Sequence, residues 1–146
     1  MKLRKIGNRI RFRLSRLGVG KLKKAIVPND KLKYLLGQIE DNQKSIDKGK
    51  LYQGLGYKST LKGKRKLEKD IWKTLREGTM TNCWLNQQGE TRFQMEAKII
   101  TPNGKVVKMR SGWVLRPAES EVQFVNMLPT RIRQSNGKGG QFNGDN

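Results

Sequence analysis

Residues 92–100 alternate strictly between polar and apolar side chains until the last position. A period of two places neighbouring side chains on opposite faces of a β-strand, so one face of this strand is apolar and the other charged. The next segment, residues 101–105 with the sequence Thr-Pro-Asn-Gly-Lys, is typical of a hairpin turn. The pattern therefore predicts an antiparallel hairpin whose second strand covers residues 105–116.

The length of the turn decides which residues of the hairpin face each other. A two-residue turn at Asn103-Gly104 would mix polar and apolar side chains on one face of the hairpin. A three-residue loop that starts at Pro102 instead places Phe93 opposite Trp113 and makes one face apolar almost throughout. Because a slip of one residue reverses every side chain, burial of the apolar face selects the three-residue loop.

This register places cations together on the polar face of the hairpin. Lys98 lies opposite Lys108, and Glu96 lies opposite Arg110. Like charges directly across two strands are unfavourable, which suggests that an anion belongs between the two lysines. The alternative is a solvated face with an incidental salt bridge. Five cations share the face with one carboxylate, and they are Arg92, Lys98, Lys108, Arg110 and Arg116.

The rest of the chain predicts helices first and strands last. Asp30 is expected to cap a helix, a second helix is expected near Asp41, and residues 49–57 are expected to turn. A third helix is expected from Lys64 to Glu77, ended by Gly78. Further strands are expected at residues 81–86 and 122–128. These patterns predict an α+β fold in which N-terminal helices pack on a C-terminal antiparallel sheet of three to four strands.

The net charge of +20 is unevenly distributed. Residues 1–25 carry ten basic side chains and no acidic one. Such a block is neutralised by nucleic acid, an anionic membrane surface or an acidic protein. We expect residues 1–25 to form a basic arm or helix, which could touch a membrane surface or dock on the domain or on RNA. Residues 26–133 are expected to form one domain, and residues 134–146 a flexible tail.

Several function classes are excluded by composition. No run approaches ~20 apolar residues, so no membrane span is expected, and arginines interrupt every candidate signal peptide. Cys83 is the only cysteine and histidine is absent, so neither a disulfide scaffold nor a zinc site nor a histidine-based mechanism is expected. Cys83 is expected to be buried. We expect no metal and no cofactor, and a cytoplasmic location.

Two further groups of residues are candidates for nucleic-acid contacts. The ring of Tyr57, like that of Tyr52, is expected to be exposed in a glycine-rich turn and able to stack on a base. A basic cluster at the start of the third helix would meet phosphate, unless it is an ordinary exposed face. Its members are Lys62, Lys64, Arg65 and Lys66.

Residues 25–130 resemble an uncharacterised bacterial domain family found in secreted and phage-associated toxins. The matching stretches are residues 25–36, Gly-Leu-Gly-Tyr at 54–57, Pro-Asn-Gly at 102–104 and residues 106–115. The order of helices and sheet looks like the barnase, EndoU, colicin and RelE group of small ribonucleases. The resemblance implies a ribonuclease with an acidic immunity or antitoxin partner. Many members of that group use histidine, so here lysine, arginine and a carboxylate would carry out the chemistry.

For a ribonuclease of this kind, the polar face of the hairpin offers residues for the roles of base, general acid and phosphate binding. Glu96 would take the proton of the 2′-hydroxyl, and Arg110 would orient Glu96 or bind a phosphate oxygen. Lys98 and Lys108 would hold the phosphate and supply a general acid, and Arg92 and Arg116 would extend the phosphate track. The expected function is metal-independent cleavage of RNA, tRNA among the candidates. The alternatives are a non-catalytic RNA- or ribosome-binding protein, or an interaction protein of a phage or secretion system.

Overall fold

A computed structural model describes residues 3–4, 24–116 and 121–130. The helices of this part are α1 at Asn29–Leu35, α2 at Gln43–Gly54 and α3 at Leu61–Glu77. Its strands are β1 at Leu3–Arg4, β2 at Lys24–Ile26, β3 at Thr79–Leu85, β4 at Thr91–Ile100, β5 at Val106–Arg116 and β6 at Glu121–Pro129. The predicted tail, residues 134–146, and the predicted helix in the basic arm lie outside the described residues.

The strands form one mixed sheet in the order β1-β2-β6-β5-β4-β3. Strand β2 runs parallel to β6, with Ala25 opposite Val122, and the other neighbours are antiparallel. The predicted antiparallel sheet of three to four strands is therefore wrong: it has five strands besides the two-residue β1. Strand β2 escaped prediction because three residues are too few to show an alternation, and its partner lies 97 positions away.

The predicted hairpin register is confirmed. Strands β4 and β5 pair with Phe93 opposite Trp113, and Lys98 opposite Lys108. The backbone N–H of residue 101 donates to the carbonyl of Lys105 at 2.9 Å, which closes the loop. Gly104 has a φ of 87°, the left-handed conformation that the three-residue loop requires. The local sequence was therefore sufficient to fix the register.

The core lies between the apolar face of the sheet and the helices. Helix α3 carries Leu67, Ile71 and Leu75 on one face, all fully buried against β4 and β5. Trp72 and Trp113 are also buried, with ring centroids 6.1 Å apart. Because the three helices of the described residues lie on this side, the opposite face of β3 to β6, which we call the outer face, keeps its polar side chains.

The glycine-rich stretch at 49–57 was expected to turn, yet α2 continues through it to Gly54. Helix packing outweighs the low helix propensity of glycine here. A Cβ on Gly49 would stand 2.7 Å from the Cα of Gly37, so only glycine lets α2 approach this segment. The close approach also buries Tyr52, whose hydroxyl donates to the carbonyl of Met127 in β6.

The ends of the helices correct two further predictions. Helix α1 follows Pro28, and Asp30 lies inside its first turn instead of capping it. Helix α3 begins three residues earlier than predicted, because the side chain of Thr60 accepts a hydrogen bond from the N–H of Gly63 at 3.1 Å. It ends before Gly78, as predicted. Within the described ranges, no helix is long and apolar enough to cross a membrane.

Candidate functional site

A carboxylate held by two cations lies on the outer face of the β4–β5 hairpin. The Nε and Nη2 atoms of Arg110 are both 2.7 Å from Oε2 of Glu96. The Nζ of Lys108 lies 3.7 Å from Oε1, the other oxygen of the same carboxylate. The side chain of Glu96 is 12% exposed, against 45% for Arg110 and 46% for Lys108. The two cations are therefore much more exposed to solvent than the carboxylate that they contact.

A pair of lysines adjoins this carboxylate toward the hairpin loop. Lys98 and Lys108 face each other in the register, and both are exposed. Lys108 shares Glu96 with Arg110, while Lys98 has no ion-pair partner in the part of the chain that the structure describes. Three cations and one carboxylate thus occupy this end of the outer face. The excess of positive charge suits an anion that bridges the two ammonium groups.

At the far end of the hairpin, two arginines surround a second carboxylate. Glu90 lies 3.9 Å from both Arg92 and Arg116, and the Nε of Arg116 donates to Gln123 at 3.1 Å. The prediction of a single carboxylate on this face is therefore wrong, and Glu121 also lies opposite Arg116. Glu90 could have been found from sequence, because it continues the alternation of residues 92, 94 and 96 by two positions. The phosphate track predicted at these arginines is partly neutralised.

The basic cluster of the third helix does not join the outer face. Helix α3 packs on the apolar side of β4 and β5, so its side chains lie in the other layer. One member, Lys66, pairs with Asp70 at 3.0 Å along the helix. The remaining three are Lys62, Lys64 and Arg65, of which the first and last are exposed. Their contact with nucleic acid stays a prediction, separate from the hairpin site.

Tyr57 is buried, and its predicted exposure for base stacking is wrong. Its ring is 1% exposed, and its hydroxyl donates to Asp70 at 2.6 Å. Burial and the neighbouring Asp70 carboxylate both raise the pKa of Tyr57. The tyrosine thus joins α2 to α3 as a neutral hydrogen-bond donor.

The exposed ring near the site is Trp84 of β3. It lies opposite Arg92 on the outer face and is 40% exposed. Its neighbour Cys83 is exposed on the other face, contrary to the predicted burial, because β3 is an edge strand that extends past the helices. Sequence alone did not assign Trp84 to this face, because it predicts a register only for the β4–β5 hairpin and none for β3.

Two further observations concern ligands of the site. Within the described ranges, no group of three or more acidic or cysteine side chains lies close enough to hold a metal ion. The groups at the Glu96 end of the outer face are two ammonium groups, one guanidinium and one carboxylate. This set attracts phosphate and contains one acceptor for a proton.

Comparisons with known proteins show a family and a fold. The family model described as "Domain of unknown function (DUF6883)" matches residues 18–131. A chain of the contact-dependent growth inhibition toxin–immunity protein complex from Klebsiella pneumoniae 342 has a similar structure, with a TM-score of 0.60 and 18% identity. The similarity covers 73% of this chain and 94% of that one. No curated protein matches the sequence.

Proposed function

The chain belongs to the DUF6883 family, and from this premise we propose that it is a toxin-type ribonuclease with its site on the outer face of the hairpin. The observation that carries the proposal is the grouping of Lys98, Lys108 and Arg110 around Glu96. These residues supply a phosphate-binding pair, a bidentate arginine and a proton acceptor. RNA provides both the phosphate and an adjacent 2′-hydroxyl on which they can act.

The proposed reaction transfers one phosphoryl group within the RNA strand. The scissile phosphate lies between the ammonium groups of Lys98 and Lys108, where it relieves their mutual repulsion. Glu96 accepts the proton of the 2′-hydroxyl through Oε1, the oxygen that Arg110 does not hold. The 2′-oxygen forms a bond to phosphorus as the bond to the 5′-oxygen breaks. A lysine ammonium protonates that leaving oxygen, and the product ends in a 2′,3′-cyclic phosphate.

The role of Arg110 follows from its geometry. Its two nitrogens bind one carboxylate oxygen, which fixes the orientation of Glu96. With 45% of its side chain exposed, the rest of the guanidinium can meet a non-bridging phosphate oxygen. Arg110 thus acts as a positioning residue for the base and as a charge stabiliser for the transition state.

The toxin context of the proposal comes from the structural relative. That relative belongs to a toxin–immunity protein complex, and its chain aligns along nearly its whole length. A producing cell must neutralise a ribonuclease, and a cationic face is complementary to an acidic protein. We therefore propose an acidic immunity protein that covers the outer face, and RNA in the cytoplasm of a target cell as the substrate.

The test is cleavage of total RNA and of tRNA by the purified protein in the presence of EDTA. We expect discrete fragments with 2′,3′-cyclic phosphate ends, and we expect Glu96→Gln to abolish them. The matched control is Glu77→Gln, which removes an exposed carboxylate at the end of α3. If folded Glu96→Gln protein produces the same fragments as the wild type, Glu96 is not the base.

One observation favours a second candidate, a non-catalytic RNA-binding protein. Glu96 is only 12% exposed and one of its oxygens is held twice by Arg110, the geometry of a structural ion pair. In that case RNA would remain intact but would still bind, and Glu96→Gln would leave binding nearly unchanged. RNA that is neither cut nor bound would contradict both candidates and favour an interaction protein of a phage or secretion system.

A further inference from the structure

A row of amide side chains crosses the outer face beside Glu96. Asn82 of β3 lies opposite Gln94 of β4, Gln94 lies opposite Gly112 of β5, and Gly112 lies opposite Asn126 of β6. We call the three amides, Asn82, Gln94 and Asn126, the amide row. Because residues two apart on a strand share a face, Gln94 is only about 7 Å along β4 from Glu96. Any RNA held at the proposed site therefore also passes the amide row.

Irregularities of the sheet meet at this row from both sides. The pairing of β3 with β4 shifts between Met80 and Asn82, and the pairing of β5 with β6 shifts between Gly112 and Trp113. Bulges re-aim side chains and are frequent next to binding sites, and glycine inside a strand often marks a close approach. A regular sheet would have packed side chains evenly at this point.

Gly112 makes room for an amide over the centre of the sheet. A Cβ at Gly112 would stand 2.7 Å from Oδ1 of Asn126. The side chain of Asn126 therefore leans over the backbone of β5, toward the strand that carries Gln94. Neither of these two amides makes a hydrogen bond to any residue that the structure describes. Both keep their donors and acceptors available to a ligand.

An exposed aromatic ring stands beside the row. Trp84, two positions after Asn82 on β3, is 40% exposed on the same face. Indole rings stack on unpaired bases, while amide side chains pair with base edges through two hydrogen bonds. Stacking needs a base that is free of its neighbours, and the deep, narrow major groove of duplex RNA keeps side chains away from the base edges, so in RNA both contacts favour an unpaired base. A stacking surface next to unpaired amides is therefore typical of recognition of single-stranded RNA.

We propose that Trp84, Gln94 and Asn126 form a recognition site for one unpaired base next to the cleaved phosphate. The inference rests on the proposed function and names its substrate class, which is single-stranded or loop RNA instead of duplex RNA. Trp84 stacks on the base, and the amides of Gln94 and Asn126 read its edge. The scissile phosphate then follows at Glu96, the next outward position on β4.

The test measures binding of 2′-O-methylated RNA homopolymers, one for each base, and of a 2′-O-methylated duplex. These probes lack the nucleophile, so the measurement does not depend on cleavage. Of the three tryptophans of the chain, Trp72 and Trp113 are 1% exposed, so quenching by RNA reports Trp84. We expect quenching by single strands with one base preferred, and much weaker quenching by the duplex.

Variants separate the two contacts. Gln94→Ala should weaken binding of the preferred homopolymer about 5- to 150-fold and reduce the preference among bases. Trp84→Leu lacks the reporting ring, so its binding is measured by fluorescence anisotropy of labelled 2′-O-methylated strands, and it should weaken binding of all four homopolymers by a similar factor. The matched controls are Gln53→Ala, an exposed glutamine of α2, and Leu85→Ala, an exposed residue on the other face of β3. Neither control should change binding.

The outcomes distinguish this inference from the proposed function. Equal quenching by duplex and single strands, or unchanged preference in folded Gln94→Ala protein, overturns the recognition site even if natural RNA is cleaved. Base-selective binding without cleavage of natural RNA supports the site and overturns the ribonuclease. Absence of any quenching by RNA overturns the site and leaves Trp84 exposed for a protein partner.

Discussion

Replacement of Lys98 by glutamine should flatten the salt dependence of RNA binding. Lys98 faces Lys108 across the hairpin, and a bound phosphate would displace counterions from both. Each phosphate neutralised on a single strand contributes about −0.7 to the slope of log K against log salt concentration. Lys98→Gln removes one of these contacts without altering a packed side chain, because Lys98 is exposed.

The size of the effect follows from the charges at the site. Lys98, Lys108 and Arg110 face one carboxylate, Glu96, so about two cations remain for phosphate. Two contacts predict a slope near −1.4 and about a sevenfold loss of affinity between 50 and 200 mM salt. One contact predicts a slope near −0.7 and about a 2.6-fold loss. Phosphate contacts elsewhere on the protein would steepen both slopes equally and preserve the difference.

The assay is fluorescence anisotropy of a labelled, 2′-O-methylated single strand, titrated at several potassium chloride concentrations. Lys69→Gln is the matched control, because Lys69 is an exposed cation on α3, in the other layer. We expect the control to retain the slope of the wild type. Two results would show that RNA binds away from the hairpin. Either Lys98→Gln has the same slope as the wild type, or Lys69→Gln flattens the slope as much as Lys98→Gln does.

Three predictions concern the fold. Gly49→Ala should lower the free energy of unfolding, measured in urea, by about 1–3 kcal/mol through overpacking. The control is Gly54→Ala in the same helix, which should not lower it, because nothing lies within 4 Å of the added Cβ. Burial raises the pKa of Tyr52, so the contribution of its neutral hydroxyl to stability is complete below about pH 10 and is lost as the pH rises further. Tyr52→Phe protein should therefore lose less free energy of unfolding than the wild type between pH 9 and 12, as measured by circular dichroism. Cys83 should react with a thiol reagent in the native protein, because it is exposed. At pH 8 the reaction should be slower than that of a free thiol, because partial desolvation raises the pKa of Cys83. A reaction that requires urea would contradict the exposure of Cys83.

The parts of the fold that sequence predicted are those with local signals. The hairpin register followed from alternation along β4 and from the Pro-Asn-Gly loop, and with it the opposition of Lys98 to Lys108. The end of α3 before Gly78 was also predicted from the local sequence. Each of these features has its signal in residues close together in the chain.

The parts that escaped prediction depend on distant contacts. Gly49 lies inside a helix because the backbone of Gly37 packs against it, and burial of Tyr57 depends on a partner in α3. Trp84 was not assigned to the site because its face depends on the pairing of β3 with β4, for which the sequence predicts no register. At the site itself, sequence placed the cations correctly but did not place Glu90 between two of them.

The position of β6 governs the order in which the sheet can be completed. This strand, late in the chain, lies between β2 and β5 and joins the early strands to the hairpin. During synthesis at roughly 5–20 residues per second, helices and the hairpin can form early, but until β6 emerges β2 has only the two-residue β1 as a sheet partner among the described strands. The pairing of β2 with β6 joins residues that are 97 positions apart, and contacts with such a long sequence separation form slowly. The completed sheet thus appears only after residues 121–129 have left the ribosome.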